Sequence, residues 1–204
     1  MSGSPFTLAL FWRDFVRGMG GAWLLLRGDA RQGLTYFEAS YEGAQRSLGA
    51  LLVVMPFYVW ALRYVETLSF SGVTMFVLIQ VIGWLTLIMV MKPIVDVWGC
   101  ASRYLLFVSV YNWCRAFRGI VFYLVYVWTY PLMHMGSESF LESGPFPQLA
   151  LFVFLCAVLV YQWFVAKAAL SVNFGRAFLV VLLEAFVEFC VSIVFHGLFM
   201  VGGR

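Results

Sequence analysis

The sequence predicts an all-α polytopic transmembrane helical bundle of about five spans, with an N-terminal interfacial amphipathic helix and a short helix before span three. Three observations predict it. The chain of 204 residues is 63% hydrophobic and only 11% charged, with a mean hydropathy of +0.92. A soluble domain carries about 25% charged residues, so the bilayer must serve as solvent for this one. The apolar residues also fall in runs of span length. Finally, the basic residues occupy alternate gaps between those runs. Arg13, Arg17, Arg27, Arg31 and Arg46 precede the first run, Lys92 and Arg103 flank the gap after the second, and Lys167 and Arg176 flank the gap after the fourth. The intervening gaps carry only Glu66, Glu138 and Glu142. Alternation of this kind is the positive-inside pattern of a polytopic membrane protein.

The elements follow in order. Residues 1–46 read as cytoplasmic or interfacial N-terminal helices. Over 5–26, Arg13, Asp14 and Arg17 share one narrow face and apolar residues cover the rest, a pattern that lies in the headgroup plane. Gly18, Gly20 and Gly21 predict a break there. A second polar helix is predicted over about 34–47, with Glu42 and Arg46 at i,i+4.

The five-span membrane domain occupies 47–200, with spans at about 48–68, 73–91, 119–135, 148–167 and 176–199. Pro56 predicts a kink in the first span, and Arg63 lies near its outer end. Span two has a single polar residue, Gln80, and Lys92-Pro93 marks its cytoplasmic end. The stretch from Tyr104 to Met133 is too long for one span: thirty helical residues reach about 45 Å against a hydrocarbon layer of about 30 Å. The reading adopted is a short helix over about 102–115 at the inner face, an elbow at Arg115, Arg118 and Gly119, and a span from 119. One long tilted helix is the alternative. Pro145 and Pro147 open span four, and a turn at 171–175 leads to span five. This topology puts the N-terminus in the cytoplasm and the C-terminus outside, and leaves only Arg63 and Arg204 of the thirteen basic residues off the cytoplasmic side.

The order of elements, a Gly-containing turn at Trp98-Gly99-Cys100-Ala101, the stretch ending in Tyr111-Asn112-Trp113 and the Gly175-Arg176-Ala177 entry to the last helix carry a likeness. Over about 40–200 the chain resembles the Yip family of five-span integral membrane proteins, in the broad sense that includes uncharacterised bacterial relatives. The long N-terminal tail of the eukaryotic-type members is absent, and the Rab-binding role of that branch is not carried over. The resemblance implies a membrane scaffold or organiser, or an accessory subunit of a membrane complex, without an enzymatic site. The start of the chain lacks the pattern of a cleavable signal, and a bacterial inner membrane is the expected location.

Glu184 and Glu188 are the sharpest candidates for chemistry. They stand at i,i+4 inside an apolar helix, where an ionised carboxylate costs several kcal/mol unless it meets a cation, water or a proton. One reading is a proton or cation pathway, making the chain a small transporter or channel. The other is an interhelical ion-pair cluster that fixes packing, with Arg115 or Arg118 facing Glu184 and Arg63 approaching Glu188 from the outer side. His196 falls near the same helix face and extends the first reading to a relay. Gln80, Asn112 and Gln162 suit interhelical hydrogen bonds.

Arg13, Arg17, Arg27 and Arg31 suit anionic lipid as well as setting topology; each basic residue near such a surface contributes about 1 kcal/mol. Met133-His134-Met135 offers soft groups for Cu(I), without a second cluster in support. The four cysteines are scattered without CxxC spacing and read as small core residues. No catalytic residue, metal site or cofactor is predicted, and no basic–aromatic tract suggests nucleic acid. The expected partners are the lipid bilayer and, within it, another protein or a second copy of the chain.

Overall fold

The computed structural model describes residues 8–65, 70–134 and 145–202. Among these the secondary structure is helical, joined by short turns: α1 (Leu8–Leu26), α2 (Ala30–Leu34), α3 (Tyr41–Ser47), α4 (Gly49–Val65), α5 (Phe70–Val97), α6 (Tyr104–His134), α7 (Pro145–Leu170) and α8 (Phe174–Gly202). Among the described residues three stretches are long and apolar enough to cross a membrane, Gly72–Val97, Phe152–Leu170 and Phe174–Phe195.

Local chemistry explains the helix ends. The Asp29 carboxylate accepts from the Gln32 N–H at 2.9 Å and the Ser40 hydroxyl from the Gly43 N–H at 3.0 Å, capping α2 and α3. After α5, Gly99 takes a φ of +72°. The Cys100 N–H then returns to the Val95 carbonyl at 2.9 Å and the Gly99 N–H to that of Asp96 at 3.1 Å, a Schellman ending for which glycine suits the left-handed residue. The Asn173 side chain accepts from the Arg176 N–H at 3.0 Å and starts α8. The expected turn at 98–101 therefore stands, and that expected over 171–175 is shorter, covering 171–173, because Asn173 starts α8 at Phe174.

The helix α6 is the centre of the bundle. It packs on α1, α3, α4 and α7, while α8 packs on α5 and α7. Residues 107–116 of α6 are all buried, around its whole circumference.

That burial overturns the predicted elbow. Helix α6 runs unbroken through Arg115, Arg118 and Gly119, because its polar side chains have partners on neighbouring helices and need no exit to water. Gly119 serves close packing instead: a Cβ there would lie 2.6 Å from the Tyr58 hydroxyl and 2.9 Å from a Val54 methyl on α4.

The N-terminal region is also corrected in three places. Helix α1 is continuous through Gly18, Gly20 and Gly21. Gly18 lies under the Trp113 ring and Gly21 under the Phe37 ring, where a Cβ would collide; close approach, not a break, is their use. Of the single helix expected over 34–47 only 41–47 is helical, as α3; α2 ends at Leu34 and a turn fills 35–40. Arg46 pairs with Asp14 at 2.9 Å and with Glu38, rather than with Glu42. Helix α1 is docked on the bundle: the Tyr161 hydroxyl of α7 donates to the Ala22 carbonyl at 3.0 Å. Its outward face is apolar, with Leu8, Trp12, Val16, Trp23 and Leu26 exposed.

Candidate functional site: a charge cluster between α6 and α8

Arg115 and Arg118 lie nearly one helical turn apart on α6, and Glu184 and Glu188 lie at i,i+4 on α8, so each pair presents both groups from one side of its helix. The two helices bring these four charges together. Glu184 Oε1 accepts from Arg118 Nη2 at 2.9 Å, from Arg115 Nη1 at 3.0 Å and from the Tyr111 hydroxyl at 3.0 Å. The other terminal Arg115 nitrogen, Nη2, reaches Glu188 Oε1 at 2.7 Å. Two cations and two anions balance to zero.

Burial separates the two acids. The Glu184 side chain is 5% exposed and that of Arg115 3%, whereas the Glu188 side chain is 44% exposed. Removing one partner from a buried pair costs about 3–5 kcal/mol, since the other charge is left uncompensated. The Glu184 pairing is therefore of the kind that holds helices in register, while Glu188 sits at the edge.

Aromatic groups complete the surroundings of Arg115. Its guanidinium lies 4.9 Å from the Trp84 ring centroid and 5.9 Å from that of Tyr111. Such cation–π contacts contribute about 2 kcal/mol or more when desolvated. Trp84 in turn is oriented by Asn112, whose Oδ1 accepts from the indole N–H at 2.7 Å. Asn112 Nδ2 donates to the Ser47 hydroxyl at 2.8 Å, and that hydroxyl donates to the Ala44 carbonyl at 2.6 Å. One polar chain therefore crosses from α3 through α6 to α5. A cavity of about 20 Å³ adjoins the cluster, lined by Arg115, Arg118, Tyr161, Gln162 and Glu184 among others. It has room for about one water molecule.

A second ionic group ties the N-terminal helices together. Arg46 of α3 bridges Asp14 of α1 and Glu38 of the α2–α3 turn, and Arg17 lies 3.6 Å from Glu38. Arg13 lies 3.5 Å from Asp14, while Arg27 and Arg31 are exposed where α1 turns into α2.

The predicted residues thus divide. Glu184, Glu188, Arg115 and Arg118 meet in one cluster, at mid-helix on α6 rather than at an elbow. Arg63 is exposed on α4, and the cation on Glu188 is Arg115, which approaches from inside the bundle. The side chain of His196 lies outside the described residues, as do those of Met133 and His134 and the whole of Met135. Asn112 is the interhelical hydrogen-bond partner that its type suggests. Sequence reasoning missed Trp84, Tyr111, Ser47 and Glu38. Tyr111 had a signal, standing one turn before Arg115; the others join only through the tertiary fold.

No protein-family model matches the sequence, and neither a curated protein nor a solved structure is significantly similar to it.

Proposed function

We propose that the chain is a non-enzymatic, five-span integral membrane protein of the Yip-like kind, acting as a membrane scaffold or organiser or as an accessory subunit of a membrane complex. In this reading α4 and the outer part of α6 add two spans to the three most apolar helices. The N-terminus faces the cytoplasm and the C-terminus the outside of a bacterial inner membrane. Arg176 Nη1 donates to the Trp98 carbonyl at 3.3 Å, which puts the turn after α5 and the turn before α8 at one end of the bundle. Lys92, Arg103 and Arg176 border these turns, in keeping with the positive-inside rule. Helix α3 lies beside the start of α6 at that end and α1 packs on α6 and α7; in this reading the exposed Arg13, Arg27 and Arg31 and the half-buried Arg17 meet anionic lipid.

The observation that carries the reading is the closure of the charge cluster. Glu184 Oε1 is saturated by three donors, and the adjoining cavity is water-sized. A carboxylate that carries ions or protons needs access to water and a reason to exchange partners, and Glu184 is held by the buried Arg115 and the largely buried Arg118. The second reading, a small proton- or cation-linked transporter using Glu184 and Glu188, draws its support from the half-exposed Glu188.

Reconstitution into liposomes separates them. The scaffold reading expects no proton or cation flux above protein-free vesicles under an imposed gradient. Flux that is abolished by Glu184→Gln or Glu188→Gln would establish the transporter instead.

A further inference from the structure

Glu188 presents a problem that the bundle itself does not solve. It stands fourteen residues into α8, about 21 Å along the helix axis and within the apolar stretch Phe174–Phe195. Its side chain is 44% exposed. Around it α8 turns Leu182, Phe186, Phe189 and Ile193 outward, a surface made for hydrocarbon. Arg115 neutralises Glu188 from the inner side; among the described residues no second donor meets its outward part, which is costly to leave against lipid.

The neighbouring positions favour a helix as its cover. Ala185 and Ser192 flank Glu188 on the outward side of α8 at i−3 and i+4, the first exposed and the second half-buried, so an approaching backbone meets small side chains. On α5 the carboxylate stem rests over Gly83, whose position has no side chain; a Cβ there would lie 3.9 Å from Glu188 Cγ. The half-buried Gln80 lies nearly one turn further along α5. The result is a shallow, small-residue patch with an anion in it. A second copy of the same chain is a poor occupant, because pairing this face with itself sets Glu188 against Glu188 in a low dielectric.

We propose that the α8 surface centred on Ala185, Glu188 and Ser192 docks a transmembrane helix of a different protein, one that carries a lysine, arginine or side-chain amide at mid-membrane depth to meet Glu188. The inference rests on the accessory-subunit reading above and names the chemistry of the partner that such a subunit would take.

The test uses the full-length protein in phosphatidylcholine vesicles and two synthetic Leu/Ala transmembrane peptides. One has a single central lysine, the other a central leucine, and association is read by energy transfer from a labelled protein. The lysine peptide is expected to bind at least tenfold more tightly than the leucine peptide. Glu188→Gln should reduce that preference to less than threefold. Ala185→Trp, which blocks the approach without touching an ion pair, should weaken lysine-peptide binding by a similar factor while circular dichroism stays unchanged. Equal binding of the two peptides would overturn the proposal, as would a lysine preference that survives both substitutions. A homodimer cross-linked through a photoreactive residue at position 189 would also overturn it, by assigning the face to a second copy. Peptide preference does not depend on the flux assay, so failure of the docking surface and failure of the scaffold reading are separately visible.

Discussion

Arg115 on α6 and Glu184 on α8 are 69 residues apart in sequence and 3.0 Å apart in space, both almost fully buried. The contact explains how a helix as polar as α6 stays unbroken at the centre of a bundle. Its charges are neutralised by the last helix rather than by water.

The Asn112 bridge should be among the least replaceable polar contacts. Asn112→Leu strands the buried Trp84 indole N–H and removes the donor to the Ser47 oxygen, whose own hydrogen bond to Ala44 remains; an unsatisfied buried group costs about 1–3 kcal/mol. The variant should unfold at lower denaturant or temperature than wild type in the same detergent. A shift in tryptophan emission should accompany it, because Trp84 loses its hydrogen-bonded partner. Unchanged stability and emission would show that the bridge is dispensable.

Gly18→Leu should pry α1 from α6. The new side chain occupies the space of the Trp113 ring, and overpacking of this kind costs about 1–3 kcal/mol. Limited proteolysis should cut the α1–α2 region faster in the variant. Adding Trp113→Ala should restore part of the protection, since the cavity it opens receives the leucine.

The topology makes a prediction of its own. If the proposed five spans and cytoplasmic N-terminus hold, alkaline phosphatase fused after Arg204 should be active, and a fluorescent protein fused at the same place should stay dark. The reverse pattern would require an even number of spans or an outward N-terminus.

Much of the fold was legible because two strong signals are local. Span-length apolar runs and alternating basic gaps need only the sequence, and Gly99 and Asn173 mark helix ends through their own backbone or side-chain chemistry. The pairing of Glu184 with the α6 arginines was also legible, because a carboxylate in an apolar helix must find a cation and few were in reach. The elbow at Arg115–Gly119 failed for a reason of the same kind. Arginines beside a glycine look like an interfacial bend when only their own helix is considered. They lie mid-helix here because Glu184, Glu188 and Trp84 converge on them from other elements. The glycines of α1 misled in parallel: a residue without a side chain signals a break or a close contact equally, and only the Trp113 and Phe37 rings decide.

The central claim is that the buried cluster is a structural lock between α6 and α8, and a double-mutant cycle on Arg115 and Glu184 tests it most directly. Arg115→Met and Glu184→Leu should each destabilise the detergent-solubilised protein by about 3–5 kcal/mol. The double variant should lose far less than their sum, with a coupling energy of about 2 kcal/mol or more. Additive losses, with coupling below about 0.5 kcal/mol, would contradict the lock and leave the two charges as independent features of the membrane domain.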